Sequence, residues 1–339
     1  MSTDGNVYRL SIVIPTYRRP EALARTLAAL ERQTAGPFEV LVVDDPVEDD
    51  PAAVAAVVAA ERRPFAVRHL HRSARGVSAA RNAGWRAARA PLVLFLGDDV
   101  VASPRLVAEH VEWHARRGGP RVGVLGHVRW AGELRVTPFM RWLDRGIQFD
   151  YSGLTGDQAT PFNLYTANVS LPRELIAAAG GFDEERFPFL YEDLDLGYRL
   201  GELGLRLLYN RRAVGEHLHP TTIAEWERRM ASTAPAERRW VELHPELPAY
   251  FHDKLAGAAA ERRSLGWGRP LLRWLGPDGG PVGRRAWASA DRYYLQRLAP
   301  GFLAAWEDAA DAPREPRAAD RADVAPLDAA ADLRGGGRG

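Results

Sequence analysis

The chain has 339 residues, 46% apolar and 26% charged, a soluble globular composition with length for about two domains. It has no cysteine, which excludes disulfides, thiolate metal sites and a cysteine nucleophile. Its 45 basic and 44 acidic residues nearly cancel, so the basic excess of a nucleic-acid binder is missing. Met1–Gly5 is polar and acidic, with no basic stretch leading into an apolar one, and no run approaches the roughly 20 apolar residues that span a bilayer. A cytoplasmic location is therefore expected, with association at the inner membrane face left open.

The first half alternates strand and helix patterns. Leu10–Ile14 reads as a strand ended by Pro15, and Pro20 opens a helix from Glu21 to Arg32 with Leu23, Leu27 and Leu30 on one face. Phe38–Val43 is the next strand, Ala52–Ala60 a helix, Phe65–Leu70 a strand and Val77–Arg89 a helix. Leu92–Leu96 is continuously apolar, as expected for a strand covered on both faces. Ser103-Pro104 reads as the N-cap and first residue of another helix. This rhythm predicts an α/β fold, a mostly parallel sheet with helices on both faces.

Further on, Val122–Val128 and Leu164–Leu171 read as strands, and Arg173 onward as a short helix stopped by Gly180-Gly181. Glu192–Leu203 is helical up to Gly204, Leu205–Tyr209 and Ala213–His219 are two extended pieces, and Thr221–Trp240 is a long helix. From Ser232 to Trp306 tryptophans recur among arginines and prolines, which suggests a helical C-terminal appendage. From Asp308 the chain is Ala, Asp, Arg, Pro and Gly, the composition of a disordered tail. The expected division is 1–231, 232–307 and 308–339.

Three strand ends carry polar signals: Pro15-Thr16-Tyr17-Arg18, Asp44-Asp45 and Asp98-Asp99. Ligands of open parallel sheets bind at such carboxyl ends. Paired carboxylates after a buried strand need donors, water or a hard divalent cation; a solvated acidic loop is the plainer alternative. Gly76-Val-Ser-Ala-Ala-Arg81 opens a helix whose free N–H groups and arginine suit an anion, or is an ordinary capped helix. Glu192 and Asp193 stand at a helix start, where the helix dipole favours ionised carboxylates. Asp195 and Arg199 are spaced for a salt bridge. His217 and His219 share one side of an extended segment, suited to a metal but common in plain loops.

Together these segments resemble glycosyltransferase family 2. The resemblance rests on Ser11-Ile-Val-Ile-Pro-Thr-Tyr-Arg18, Val42-Val-Asp-Asp45, Gly76-Val-Ser-Ala-Ala-Arg-Asn82, Phe95-Leu-Gly-Asp-Asp99, Gly180-Gly-Phe-Asp-Glu184 and Glu192-Asp193, in the family's order. It covers Arg9 to Pro220. It implies the GT-A fold and an inverting glycosyl transfer from a nucleotide-diphosphate sugar. The implied donor site is Pro15, Thr16, Tyr17, Arg18, Asp45, Arg81 and Asp98. The implied ligands for Mg²⁺ or Mn²⁺ are Asp99 and His217, with His219 second. Asp193 is the implied catalytic base, with Glu192 beside it.

Gly97 stands where many members carry the first acid of the Asp-x-Asp motif, and Pro46-Val-Glu replaces the usual Gly-Ser after Val-Asp-Asp. The acceptor, whether sugar, lipid-linked or small molecule, is not legible. Trp130, Trp142 and Tyr151 could stack against one or fill the core. Two other readings stand beside this one: a non-catalytic nucleotide-sugar-binding module, and a sugar nucleotidyltransferase. The latter normally carries a lysine soon after its first strand, whereas the only lysine here is Lys254.

Overall fold

A computed structural model describes residues 8–44, 51–59, 63–71 and 76–310. Asp45, expected at the nucleotide site, and residues 311–339 of the expected tail lie outside them.

The amino-terminal half contains β1 (Leu10–Thr16), α1 (Pro20–Leu30), β2 (Phe38–Asp44), α2 (Pro51–Ala59), β3 (Ala66–His71), α3 (Gly76–Ala87) and β4 (Leu92–Leu96). β1 pairs in parallel with both β2 and β4, and β2 with β3. Side-chain alternation sends Leu10, Ile12 and Ile14 to one face, against Leu23, Leu27 and Leu30 of α1. Val13 and Phe95 point to the other, with Ala80 and Trp85 of α3. Gly84 lets α3 approach, since a Cβ there would lie 2.3 Å from Val13 Cγ1. β1 does not stop at Pro15: its pairing with β4 ends at Val13, so on that side no ladder needs the N–H that proline lacks.

The sheet continues with β5 (Val100–Ala102), α4 (Leu106–Arg117), β6 (Val122–Trp130), α5 (Pro138–Leu143), β7 (Gln158–Ala159), β8 (Asn168–Pro172), α6 (Arg173–Ala178), α7 (Glu192–Glu202) and β9 (Arg206–His217). The strand order is β3-β2-β1-β4-β8-β6-β9-β5, with β7 against β9. β8 runs antiparallel to β4 and β6; β5 and β7 oppose β9. The other strands share one direction, so the sheet is mostly parallel, as the sequence predicts.

Three local expectations are corrected. Ser103-Pro104 does not cap α4: Ser103 donates its N–H to Val214 O at 2.9 Å and Pro104 O accepts from Thr34 N at 2.9 Å, which holds the pair as a loop. The helix begins at Leu106 without a side-chain cap. The strand expected over 164–171 begins only at Asn168, because Ala167 O is taken by Gly97 N and Thr166 is turned to Asp193. The two extended pieces over 205–219 are one strand, β9, whose bulge at residues 211–213 is absorbed by a register shift between Gly126 and His127.

The C-terminal layer is α8 (Ile223–Leu243), α9 (Tyr250–Ala260) and α10 (Gly280–Asp308). Thr222 and Glu225 start α8 with reciprocal side-chain to backbone hydrogen bonds, a capping box. The expected boundary at 231/232 falls inside α8, which runs on through it. α5, α8, α9 and α10 enclose a second core around Trp142, Trp226, Met230, Leu255, Leu298 and Phe302. Trp142 is thus core packing, its indole N–H donating to Asp291 at 2.8 Å. Trp267 and Trp274 are exposed. Among the described residues, no helix is long and apolar enough to cross a membrane.

Candidate active site

Two acidic clusters lie along the carboxyl side of the sheet. The first follows β4, whose apolar run delivers Asp98 and Asp99 to its end, both nearly buried. Thr16, ending β1, donates its hydroxyl to Asp98 at 2.9 Å, and Thr26 of α1 donates to the Asp98 carbonyl at 2.7 Å. Arg19 bridges both acids, its guanidinium 2.8 Å from Asp99 and 3.5 Å from Asp98. Burial, reinforced by the Asp99 charge, pushes Asp98 up to about 7 against the opposing pull of Arg19 and Thr16. A Cβ on Gly97 would lie 3.1 Å from Asp99 Oδ1, so the glycine there leaves room for that carboxylate.

His217 ends β9, and pairing with β5 sets it opposite Val100. Its Nε2 is 3.5 Å from Asp99 Oδ2, and its buried Nδ1 has no hydrogen-bond partner. Burial lowers its pKa and the Asp99 charge opposes, which favours the neutral, ligand-competent ring. Trp130 and Phe149 pack edge-on against that ring. His219 lies further off, 6.4 Å away between ring centroids.

The second cluster is built by α3 and α7. Gly76, at φ 88°, opens α3 where a Cβ would lie 2.5 Å from Pro188 O, so glycine is required. Asn82 ties α3 to the Gly180-Gly-Phe-Asp-Glu184 turn: its Nδ2 donates to Phe182 O at 2.8 Å and to Glu184 at 2.7 Å. Phe182 in turn packs edge-on against Phe95 of β4. This docking points Arg81 at α7, 2.8 Å from Glu192 and 3.6 Å from Asp193.

Asp193 accepts hydrogen bonds from Thr166 N at 3.0 Å and from the Thr166 hydroxyl at 2.7 Å. Burial raises it to about 6; Arg81 and Thr166 hold it down, and Glu192 pushes it up. Tyr191 precedes the pair at φ 63°. Asp195 and Arg199 form the expected ion pair.

The remaining expected residues lie at the end of β1. Pro15 and Thr16 close the strand, Arg18 takes φ 53°, and Tyr17 is 50% exposed, with the Arg18 guanidinium 5.5 Å from its ring centre. The structure thus brings Thr16, Asp98, Asp99 and His217 together, and separately Arg81, Glu192 and Asp193. The sequence assigned no role to Arg19, Thr166, Arg229 or Glu237. Arg229, on α8, lies over the Trp226 ring and near enough to Glu192, Asp193 and Arg19 for their charges to act on it. It is the described link between the clusters, and nothing in its arginine-rich neighbourhood singles it out by sequence.

Fold and site define an α/β protein with two acidic clusters along the carboxyl side of a mostly parallel sheet. Residues 11–155 match the profile of Glycosyl transferase family 2, so the chain carries a domain similar to that family's. The chain is 32% identical over 278 residues to validoxylamine A glucosyltransferase of Streptomyces hygroscopicus subsp. limoneus, spanning 72% of this chain and 58% of that protein. The chain therefore spans little more than half the length of that relative. Its fold is similar to that of the mannosyltransferase PcManGT from Pyrobaculum calidifontis, solved with GDP-Man and Mn²⁺ (TM-score 0.50, 19% identity, covering 92% of this chain and 78% of that one). It is also similar to S. aureus TarS 1–349 (TM-score 0.51, 15% identity, 88% and 90% covered).

Proposed function

We propose that this protein transfers a glycosyl group from a nucleotide-diphosphate sugar to an acceptor hydroxyl, with inversion and with Asp193 as general base. The observation that carries this reading is the setting of Asp193: a partly buried carboxylate held by Thr166 and Arg81, with an affinity for protons near pH 6. Such a group is ionised at neutral pH yet basic enough to accept a proton. Asp193 removes the acceptor's hydroxyl proton; the oxygen bonds to the anomeric carbon as that carbon's bond to the diphosphate oxygen breaks. The electron pair leaves with the nucleoside diphosphate. Glu192 keeps Arg81 beside the base.

Pro15, Thr16, Tyr17, Arg18, Asp45, Arg81 and Asp98 supply the donor site in this reading. Asp99 and His217, adjacent across β5 and β9, offer a carboxylate oxygen and a neutral imidazole, a donor set that suits Mn²⁺ and leaves Mg²⁺ as the harder alternative. When bound, such a cation neutralises charge on the departing diphosphate. The Mn²⁺ and GDP-Man held by the mannosyltransferase of similar fold support this assignment. The name of the curated relative makes a glucosyl donor the first to test.

The test is a pair of measurements. Thermal melting against UDP, GDP, dTDP and CDP, with and without Mn²⁺, identifies the nucleotide; a ligand at 100 times its Kd adds about 2.7 kcal/mol. Asp193→Asn then retains the nucleotide shift while transfer is lost. Undiminished transfer by that variant rejects Asp193 as base.

A further inference from the structure

Asp44, His69 and His71 gather at the carboxyl ends of β2 and β3, on the same edge of the sheet as Asp98-Asp99 but further out toward β3. β2 and β3 pair in register with Asp44 opposite His71, and His69 lies two residues earlier on the same face of β3. One ligand atom from each side chain falls within 4.8 Å of the other two. Strand β1 separates this group from β4 and its Asp98-Asp99 end.

The three are held differently. Asp44 is buried, His69 mostly buried and His71 exposed. His69 Nε2 is 3.6 Å from Asp44 Oδ2, too far for a hydrogen bond, and this buried nitrogen has no hydrogen-bond partner. The two imidazoles stand 4.0 Å apart between ring centroids, tilted by 53°. The buried His69 nitrogen is unsatisfied, and it faces a carboxylate and a second imidazole, the groups with which it could share a cation.

We propose that Asp44, His69 and His71 form a second metal site, for a borderline divalent cation of the zinc type. Two imidazole nitrogens and one carboxylate oxygen are a zinc donor set, whereas Mg²⁺ and Ca²⁺ take oxygen. Bond lengths of about 2.0–2.2 Å put tetrahedral zinc ligands roughly 3.3 Å apart. The His69–Asp44 separation already approaches that value, and the exposed His71 closes the rest by turning about its own side chain. Burial, with His71 acting in the same sense, favours the neutral form of His69, the form that ligates. Three protein ligands leave a fourth position open to water or another donor. Among the described residues β3 is the last strand on its side of the sheet, paired only with β2, and the ion would pin it to its neighbour.

The test uses the full, tag-free chain stripped of metal. Zn²⁺ alone is titrated calorimetrically, and Co²⁺ alone is followed by its visible absorption, which reports tetrahedral coordination. The expected result is one zinc equivalent and a tetrahedral cobalt spectrum in Asp99→Ala, where the Asp99–His217 pair no longer competes, and at least as much zinc in the parent chain. In the Asp99→Ala background both are lost on His69→Ala, and His71→Ala weakens zinc at least tenfold. Because His71 is exposed, that variant reads out the site even if His69→Ala fails to fold. Zinc binding unchanged by His71→Ala in that background overturns the proposal. So does zinc binding that disappears in Asp99→Ala, which would place the ion at Asp99 and His217. A cobalt spectrum of octahedral type in Asp99→Ala overturns it as well. Because none of these readouts involves glycosyl transfer, the result stands apart from the assignment of Asp193.

Discussion

Tyr191 donates its phenolic hydrogen to Glu237 at 2.6 Å, across a separation of 46 residues, and so joins the segment that presents Glu192 and Asp193 to the C-terminal helical layer. Glu237 is fully buried on α8 and also accepts from Phe251 N at 2.7 Å and His252 N at 2.8 Å. Those two N–H groups belong to the first turn of α9, where a carboxylate is favoured. One side chain thus fixes both the start of α9 and the left-handed turn at Tyr191.

Tyr191→Phe deletes one hydrogen bond to a buried carboxylate, at a cost of about 1.5–3 kcal/mol in urea unfolding. In the proposed reading it also loosens the approach to Asp193, so kcat falls while the KM for donor holds. Glu237→Ala leaves two helix N–H groups and a phenol without their acceptor, and its loss of stability exceeds that of Tyr191→Phe. Equal stability of Tyr191→Phe and the parent chain would show that the contact does not fix the turn.

The setting of Asp193 gives the proposed transfer a pH dependence. Its carboxyl titrates near 6, so kcat/KM rises with pH through that region as the base becomes ionised. Thr166 donates to the ionised form, through both its N–H and its hydroxyl. Thr166→Val removes the hydroxyl donor, destabilises the carboxylate and shifts the acid limb to higher pH. A limb that stays in place in Thr166→Val would mean that another group sets it.

Arg19 neutralises Asp99 from 2.8 Å, where its side chain is about half exposed. A divalent cation on Asp99 must compete with that guanidinium. Arg19→Met is therefore expected to tighten Mn²⁺ binding by roughly tenfold, the worth of a charge pair of about 1.4 kcal/mol. Calorimetric titration of Mn²⁺ into both chains measures it. Weaker binding in Arg19→Met would instead assign Arg19 to the support of the metal site.

Much of the first cluster was legible because strand and site are the same signal. The apolar run Leu92–Leu96 had to end somewhere, and it ends on Asp98-Asp99. The helix start at Glu192-Asp193 was legible for a similar local reason, and Gly180-Gly181 and Gly204 adopt the positive φ that stops a helix. What was not legible depends on chain segments meeting. Thr166 lies in a stretch whose apolar residues read as strand, yet its backbone and hydroxyl are spent on Asp193. Glu237 sits in an arginine-rich helix where surface exposure is the default, and only packing against Tyr191 and α9 buries it. Ser103-Pro104 carried the right residues for a cap, but contacts with Thr34 and Val214 outweighed that local preference.

Packing behind the site supplies a final test. His110 donates or accepts at Ser170 (2.8 Å) and Asn168 (2.9 Å), and His114 reaches the same Ser170 hydroxyl at 2.9 Å. Burial lowers His110 to about 3 and His114 to about 4. Unfolded histidine takes a proton near 6.5, so the stability these neutral rings contribute is complete above that pH and is lost as pH falls toward 4. The loss approaches 1.4 kcal/mol per pH unit for each ring. Asp98, Asp144 and Asp193 act in the opposite sense, because burial raises all three, and they mask the slope in the parent chain. The difference between the parent and His114→Gln isolates it. That difference is largest at pH 7 and narrows by about 1–2 kcal/mol by pH 5, read from urea midpoints at each pH. A difference independent of pH would mean that His114 takes up its proton as readily in the folded chain as in the unfolded one.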